Sequence, residues 1–341
     1  MLDTKYKDRE YLKEYCLDVE LFLRFDLDVI DVIPVRKVFI VITKDGQYIL
    51  KKLDYSIENL EFINNGLEYV RKNGFNNVLR FLKTKENQIC TEYKGNMYCI
   101  MELLEGSESV YSNPIDVLLA TKSLGLLHKA SKGYYGNLEE KDFRGNLKEN
   151  LQKQLQDMKF IKNTVEKYLN KNNFDNIFLE NIDHLLKRGE DSLSYLLNSN
   201  YHNMINDKNK VAFCHHDLAH HNILIKDNKA YFIDFDYAII DLKVHDLCNF
   251  ILKVIKDFAY DIEKAEDIIN EYKKYNDLEK DELEVLYGFM SFPHKTFTLI
   301  RNYYYKQKKW EYDIFVNKLI DKTQYIREEE EFLELFKERI I

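Results

Sequence analysis

The run CHHDLAHHN, from Cys214 to Asn222, places Asp217 and Asn222 five residues apart behind His215, in the order H-x-D-x-x-x-x-N. Asp234 follows seventeen residues after Asp217, at the end of the apolar stretch in YFIDFD. These residue types suit phosphoryl transfer. One carboxylate orients an attacking hydroxyl or accepts its proton, and an amide oxygen with a second carboxylate holds Mg²⁺ against the phosphates. The spacing implies a short loop with Asp217 and Asn222 at its ends and a hairpin that delivers Asp234. The four histidines suggest another chemistry, since imidazoles are good zinc ligands. No HExxH helix or cysteine pair accompanies them. His215 is therefore expected to pack beneath the loop and hold it by hydrogen bonds, with His216, His220 and His221 facing the cleft or solvent.

Such a loop needs elements to position it. VAF (211–213) and ILIKDNKAYFID (223–234), turned at Asp227-Asn228, read as a strand island within long helical patterns over 146–198 and from Asp246 to the end. Asp246 is expected to cap that last helical stretch or brace the loop. The first hundred residues have strand character instead. VFIVIT (38–43) and YILKK (48–52) form one expected hairpin, and ICTEY (89–93) with MYCIM (97–101) a second. Between them Leu60, Ile63, Leu67 and Val70 recur at helical spacing over 56–72. Phosphoryl transfer also needs a small-lobe lysine, and Lys51 ends the strand YILK. Alternation along a strand lets only one of Lys51 and Lys52 enter a cleft, and Lys51 is the expected one. Its carboxylate partner should come from the helix, with Glu61 chosen over Glu58 and Glu68. After Gly106 the chain turns helical, and Asn113-Pro114-Ile115-Asp116 is a helix start with cap, proline and first-turn acid in place. The expectation is an α+β, bilobal fold: a β-rich lobe over 1–104 and a helical lobe over 105–341, with a cleft between them.

Composition fits this layout. The 341 residues are 45% hydrophobic and 32% charged, and acids outnumber bases 58 to 50 for a net charge of −8. That balance argues against nucleic acid as the main partner, though a local basic patch is compatible with it. The start MLDTKYKDRE lacks the apolar core of a secretory signal, and no apolar run is long enough to span a bilayer. Five scattered cysteines without CxxC spacing read as reduced thiols made in a cytosol.

With these residues assembled, the sequence resembles the aminoglycoside phosphotransferase and choline kinase branch of the protein-kinase-like fold. Within it, the resemblance is closer to the CotS-type spore coat proteins. It covers nearly the whole chain, through FCHHDLAHHNILI, YFIDFDYAIIDLKVHDLCNFILKV, YCIMELLEG, LGLLHKAS and FPHKTFTLIRNYYYKQKKW. The last of these points to the spore coat type. The resemblance implies ATP and Mg²⁺ as cofactors, Asp217 as catalytic base, Asn222 and Asp234 as metal ligands, and Lys51 on the nucleotide phosphates. It also implies that the backbone of Glu102, Leu103 and Leu104 takes the adenine edge, with Met101 just before this hinge. Spore coat proteins would be partners, alongside the nucleotide and a hydroxyl-bearing acceptor, and the spore coat the location.

Two positions depart from that branch. His216 stands where it usually has glycine, and DVIPVRKVF, before the strand 38–43, contains no glycine to form a phosphate-cradling nest. Arg36 and Lys37 are the candidate charged substitutes there. Two functions follow as expectations: a phosphotransferase acting on a hydroxyl, or a kinase-fold coat component with weak or no catalysis.

Overall fold

The computed structural model describes residues 17–256 and 260–341. Cys16 and the polar start of the chain lie outside the described residues. Five antiparallel strands come first, β1 (Val29–Val35), β2 (Val38–Thr43), β3 (Gln47–Lys52), β4 (Thr91–Tyr93) and β5 (Asn96–Glu102), in the order β1-β2-β3-β5-β4. Both expected hairpins are present, the second turning at Lys94-Gly95 with positive φ at both residues. Strand β1 was not foreseen. It carries Pro34, which is tolerated because β1 is the sheet edge, where a missing N–H costs no ladder bond.

Period-two alternation divides the sheet. Leu50, Tyr98 and Ile100 face α1 (Val19–Leu23), a short helix also missed in the sequence, and form a small core with Leu21 and Phe22. Ile49, Cys99 and Met101 face the other way, into the main core with Leu60, Ile63, Leu67 and Val70 of α2 (Ile57–Lys72). Lys51 pairs with Cys99 across the ladder and so belongs to this second face. Ser56 caps α2 through the Asn59 amide. The helix approaches the rest of the molecule closely: a Cβ on Gly66 would stand 2.6 Å from the Phe213 ring.

The remainder is mainly helical. Helix α3 (Pro114–Ala130) begins at the expected Asn113 cap. It is followed by α4 (Leu147–Val165), α5 (Asn173–Asn198), α6 (Tyr201–Met204), α7 (Lys243–Ile255), α8 (Ile262–Lys273), α9 (Lys280–Ser291), α10 (His294–Tyr304), α11 (Tyr312–Thr323) and α12 (Ile326–Arg339). Two small sheets carry the loops of interest. The first joins β6 (Ser107–Glu108), β8 (Ile223–Lys226) and β9 (Lys229–Phe232); the second joins β7 (Val211–Cys214) and β10 (Ile239–Leu242). The β8–β9 turn is at Asp227-Asn228, as expected, with φ of 50° and 55°. Strands β6 and β10 were not read from sequence; each pairs with one strand alone, β8 and β7 respectively. Among the described residues no helix is long and apolar enough to cross a membrane.

Candidate active site

Strand β7 runs into the loop that begins at His215, and β8 leaves it at Ile223. His215 is fully buried and uses both ring nitrogens: Nε2 donates to the Ile233 carbonyl at 2.9 Å, and Nδ1 accepts from the Asp217 amide at 3.3 Å. It thus ties the loop to the residue before Asp234, the loop-holding role expected of it. Asn222 adds a second tie, its carbonyl accepting from the Ile233 amide at 3.0 Å. From above, the Tyr111 hydroxyl donates to the Leu218 carbonyl and Ser109 to the His220 carbonyl.

Asp246, fully buried in the first turn of α7, accepts from the amides of His215 and His216 at 2.7 and 2.8 Å and contacts His128. Burial alone would raise its pKa, but His128, His215 and these amides hold it down at about 2. The brace was expected and the helix cap was not found, because the N-cap position is Leu242. His216 shows why glycine suits its position. Its φ is +64°, a left-handed conformation costing a side-chain-bearing residue about 1 kcal/mol. The Asp246 bond to its amide helps to hold it there.

Asp217 sits at the loop's entrance, half-buried. The Asn222 amide nitrogen donates to its carboxylate and to its carbonyl, both at 3.0 Å. Its other carboxylate oxygen accepts from Lys253 of α7 at 2.6 Å. Burial pushes the carboxyl up, yet Lys253 outweighs it and holds the group below the usual aspartate value. Nothing in the local spacing announced Lys253, which reaches Asp217 from 36 residues away.

Asp234 follows β9 with φ 61° and ψ 65°, a left-handed turn that aspartate tolerates. Lys51 crosses the cleft to it at 3.0 Å and to Asp236 at 2.5 Å. Burial would lower the Lys51 pKa; Asp236 and Asp234 reverse that and raise it. Asp236 is raised by burial and by Asp234 against the pull of Lys51, and the Tyr55 hydroxyl donates to it at 3.1 Å. Sequence reading chose the lysine correctly as the cleft-facing one of its pair but assigned it Glu61. That pairing is corrected here. Glu61 is exposed on α2 and Lys51 is held by the acids after β9, while Glu68 pairs with Arg71. The second acid of YFIDFD was the signal for Asp236.

The other expected positions fall around this cleft. Met101 lies opposite Ile49 near the end of β5, the Glu102 amide donates to the Arg80 carbonyl at 2.9 Å, and the Leu103 amide donates to the Gln47 carbonyl at 3.4 Å. Leu104 packs on the main core. Arg36 forms, with Lys37, the two-residue turn between β1 and β2, at φ 53°. Its guanidinium meets Glu108 of β6 at 2.9 Å, across the cleft. The histidines do not converge as a metal site. Among the described residues, the group that could hold an ion near them is His128, Cys214 and Asp246, all buried and already hydrogen-bonded. By contrast Asn222, Asp234 and Asp236 offer oxygen donors, and the Asn222 amide is oriented through its nitrogen, which leaves the oxygen for a ligand. That hard-oxygen set fits Mg²⁺.

The fold is shared widely. An aminoglycoside phosphotransferase from Alicyclobacillus acidocaldarius superposes with a TM-score of 0.83 at 16% identity, covering 95% of this chain and 96% of that one. A spectinomycin phosphotransferase in complex with ADP and spectinomycin gives 0.59 at 16% identity, over 97% and 94%. Choline kinase from Cryptosporidium parvum gives 0.53 at 15%, over 96% and 97%. In sequence, the chain is 24% identical over 278 residues to Spore coat protein S of Bacillus subtilis, covering 80% of this chain and 79% of that protein. Residues 19–336 match the family described as "Spore coat putative kinase YutH". With its bilobal kinase-like fold and a match over nearly its whole length, the chain belongs to this spore coat kinase family.

Proposed function

We propose that the protein is an ATP- and Mg²⁺-dependent phosphotransferase that passes a γ-phosphoryl group to a hydroxyl. One observation carries the reading: Lys51 bonds Asp234, 183 residues away, and Asp236, and the loop of Asp217 and Asn222 is tied to Ile233, the residue before Asp234. The nucleotide would lie between the small lobe, ending near residue 104, and the helical remainder, its adenine edge along Glu102, Leu103 and Leu104 below Met101. Asn222, Asp234 and Asp236 would hold Mg²⁺, which neutralises phosphate charge during transfer. Lys51 would move from the two carboxylates to the phosphates. Asp217, kept ionised by Lys253, accepts the acceptor's hydroxyl proton as the new O–P bond forms and the bond to ADP breaks. Lys253 then faces the transferring group from the same side. Related solved kinases hold ADP with spectinomycin, or AMP-PNP with Ca²⁺ and amicoumacin, which supports a nucleotide here.

A second reading has its own observation. The β1–β2 turn has no glycine, and Arg36 is tied to Glu108. A kinase-fold coat component with little catalysis fits that tight, ion-paired turn. Thermal unfolding with and without millimolar Mg²⁺·ATP separates the two. A ligand at a hundred times its Kd stabilises by about 2.7 kcal/mol, so wild type should show a Mg²⁺-dependent rise in Tm that Asp234→Ala removes. No rise in wild type favours the coat-component reading.

A further inference from the structure

A large cavity of about 930 Å³ opens in the helical lobe, lined on one side by α4 and α7 and on the other by α10, α11 and the start of α12. It is within the size range of small-molecule sites. His216, the neighbour of Asp217, lines it, as does Leu252, the neighbour of Lys253. The cavity thus comes within one residue of Asp217, the carboxylate that would take the acceptor's proton, and of its partner Lys253.

Its charge is unlike that of the chain. The protein carries a net −8, yet the cavity wall holds seven Lys and Arg side chains against two carboxylates. One of the two carboxylates is already engaged: Glu329 accepts from Arg188 and from the Tyr260 hydroxyl, one oxygen each. Arg301 meets Asp157 at 3.1 Å. Lys295, Lys318 and Lys322 remain on the wall with no ion pair among the described residues. Lys295 is open to the cavity but surrounded by protein. Burial and the ammonium groups of Lys322, Lys256 and Lys253 push it down to about 8, with the Cys248 thiol opposing. Lys322 is lowered as well, by burial and by Lys256 and Lys318, against the pull of Glu329 and Asp321. Clustered ammonium groups in a concave wall repel one another and are relieved by an anion. Apart from these cations the wall offers the rings of Phe143, Phe289 and Phe292.

We infer that the acceptor is a small hydroxyl-bearing organic anion, a polyol or sugar that already carries a phosphate or carboxylate. Its anionic end sits on Lys295, Lys318 and Lys322, its carbon skeleton against the aromatic wall, and a hydroxyl beside Asp217. This rests on the phosphotransferase reading for the reaction, but the binding does not need nucleotide. Amine-bearing acceptors meet the wrong sign of charge here.

Glucose 6-phosphate, glucose and glucosamine vary charge on nearly one shape, so the test is calorimetric titration of each, with inorganic phosphate, in the absence of nucleotide. Glucose 6-phosphate should bind at least about tenfold more tightly than either sugar, the worth of one charge-assisted contact. The preference should vanish in Lys295→Met/Lys322→Met, which keeps the side-chain stems. It should persist in Asp234→Ala, where a failed nucleotide site would show separately as a missing Mg²⁺·ATP response. Tighter glucosamine binding, no binding by either phosphate, or a preference unchanged in the double lysine variant overturns the inference. Binding of polyglutamate alone overturns it in favour of an acidic peptide.

Discussion

In the cleft, Lys51 stands between Asp234 and Asp236, and Lys253 faces Asp217. In the cavity, Lys295, Lys318 and Lys322 line a wall whose Glu329 is already taken. Both regions gather charge from distant parts of the chain, but only the cleft balances it internally. A balanced cluster can fold without its ligand and exchange partners when the ligand comes. An unbalanced one holds part of its binding energy as repulsion in the empty protein. Lysine removal should therefore have opposite signs in the two places.

The largest effect concerns the reaction. Asp217→Asn keeps the side-chain shape but removes the proton acceptor, and ATP-dependent phosphorylation should fall by at least about a hundredfold. Turnover measured beside wild type decides this, and equal rates would remove Asp217 from the chemistry. Next comes Lys51→Met, which leaves two carboxylates facing each other without a cation. Denaturant unfolding should show a loss of about 1–3 kcal/mol, partly recovered by millimolar Mg²⁺. Unchanged stability would mean the cleft charges are screened by solvent and the contrast with the cavity fails.

The smallest effect has the opposite sign. Burial, with Lys322, Lys256 and Lys253 adding to it and the Cys248 thiol opposing, lowers the Lys295 pKa to about 8. A lysine lowered on folding costs stability wherever it is charged in both states, below about pH 8. That cost fades as pH rises from about 8 toward the ordinary lysine value, because the native state releases its proton first. Lys295→Met should accordingly raise Tm by about one degree at pH 7 and lose that advantage by pH 10. A lower Tm at pH 7 would show that the cavity lysines are not under mutual repulsion.

How much of this was legible differs along the same line. Asp217, Asn222 and Asp234 lie within eighteen residues, and β-hairpin spacing carries them, so the sequence displayed them directly. Lys51 was legible because strand alternation leaves one choice of two. Glu61 was misassigned because a helix offers several acids on neighbouring turns, and nothing local says which faces the sheet. Lys253 and Asp236 were visible as letters but not as partners. The acidic run Glu328–Glu331 gives no local sign that Glu329 is committed to Arg188.

By itself, then, the sequence determined the kinase-like order of elements and the acids of the two loops, since hydrogen-bonded turns and alternating burial are properties of neighbouring residues. Only the tertiary structure decided which ammonium groups those acids meet, and it alone built the cationic cavity. Lys295, Lys318 and Lys322 come from α10 and α11, and the wall they share with α4 and α7 exists only once those helices pack around a common space. Charge proximity across helices is set by packing, and no local spacing encodes it.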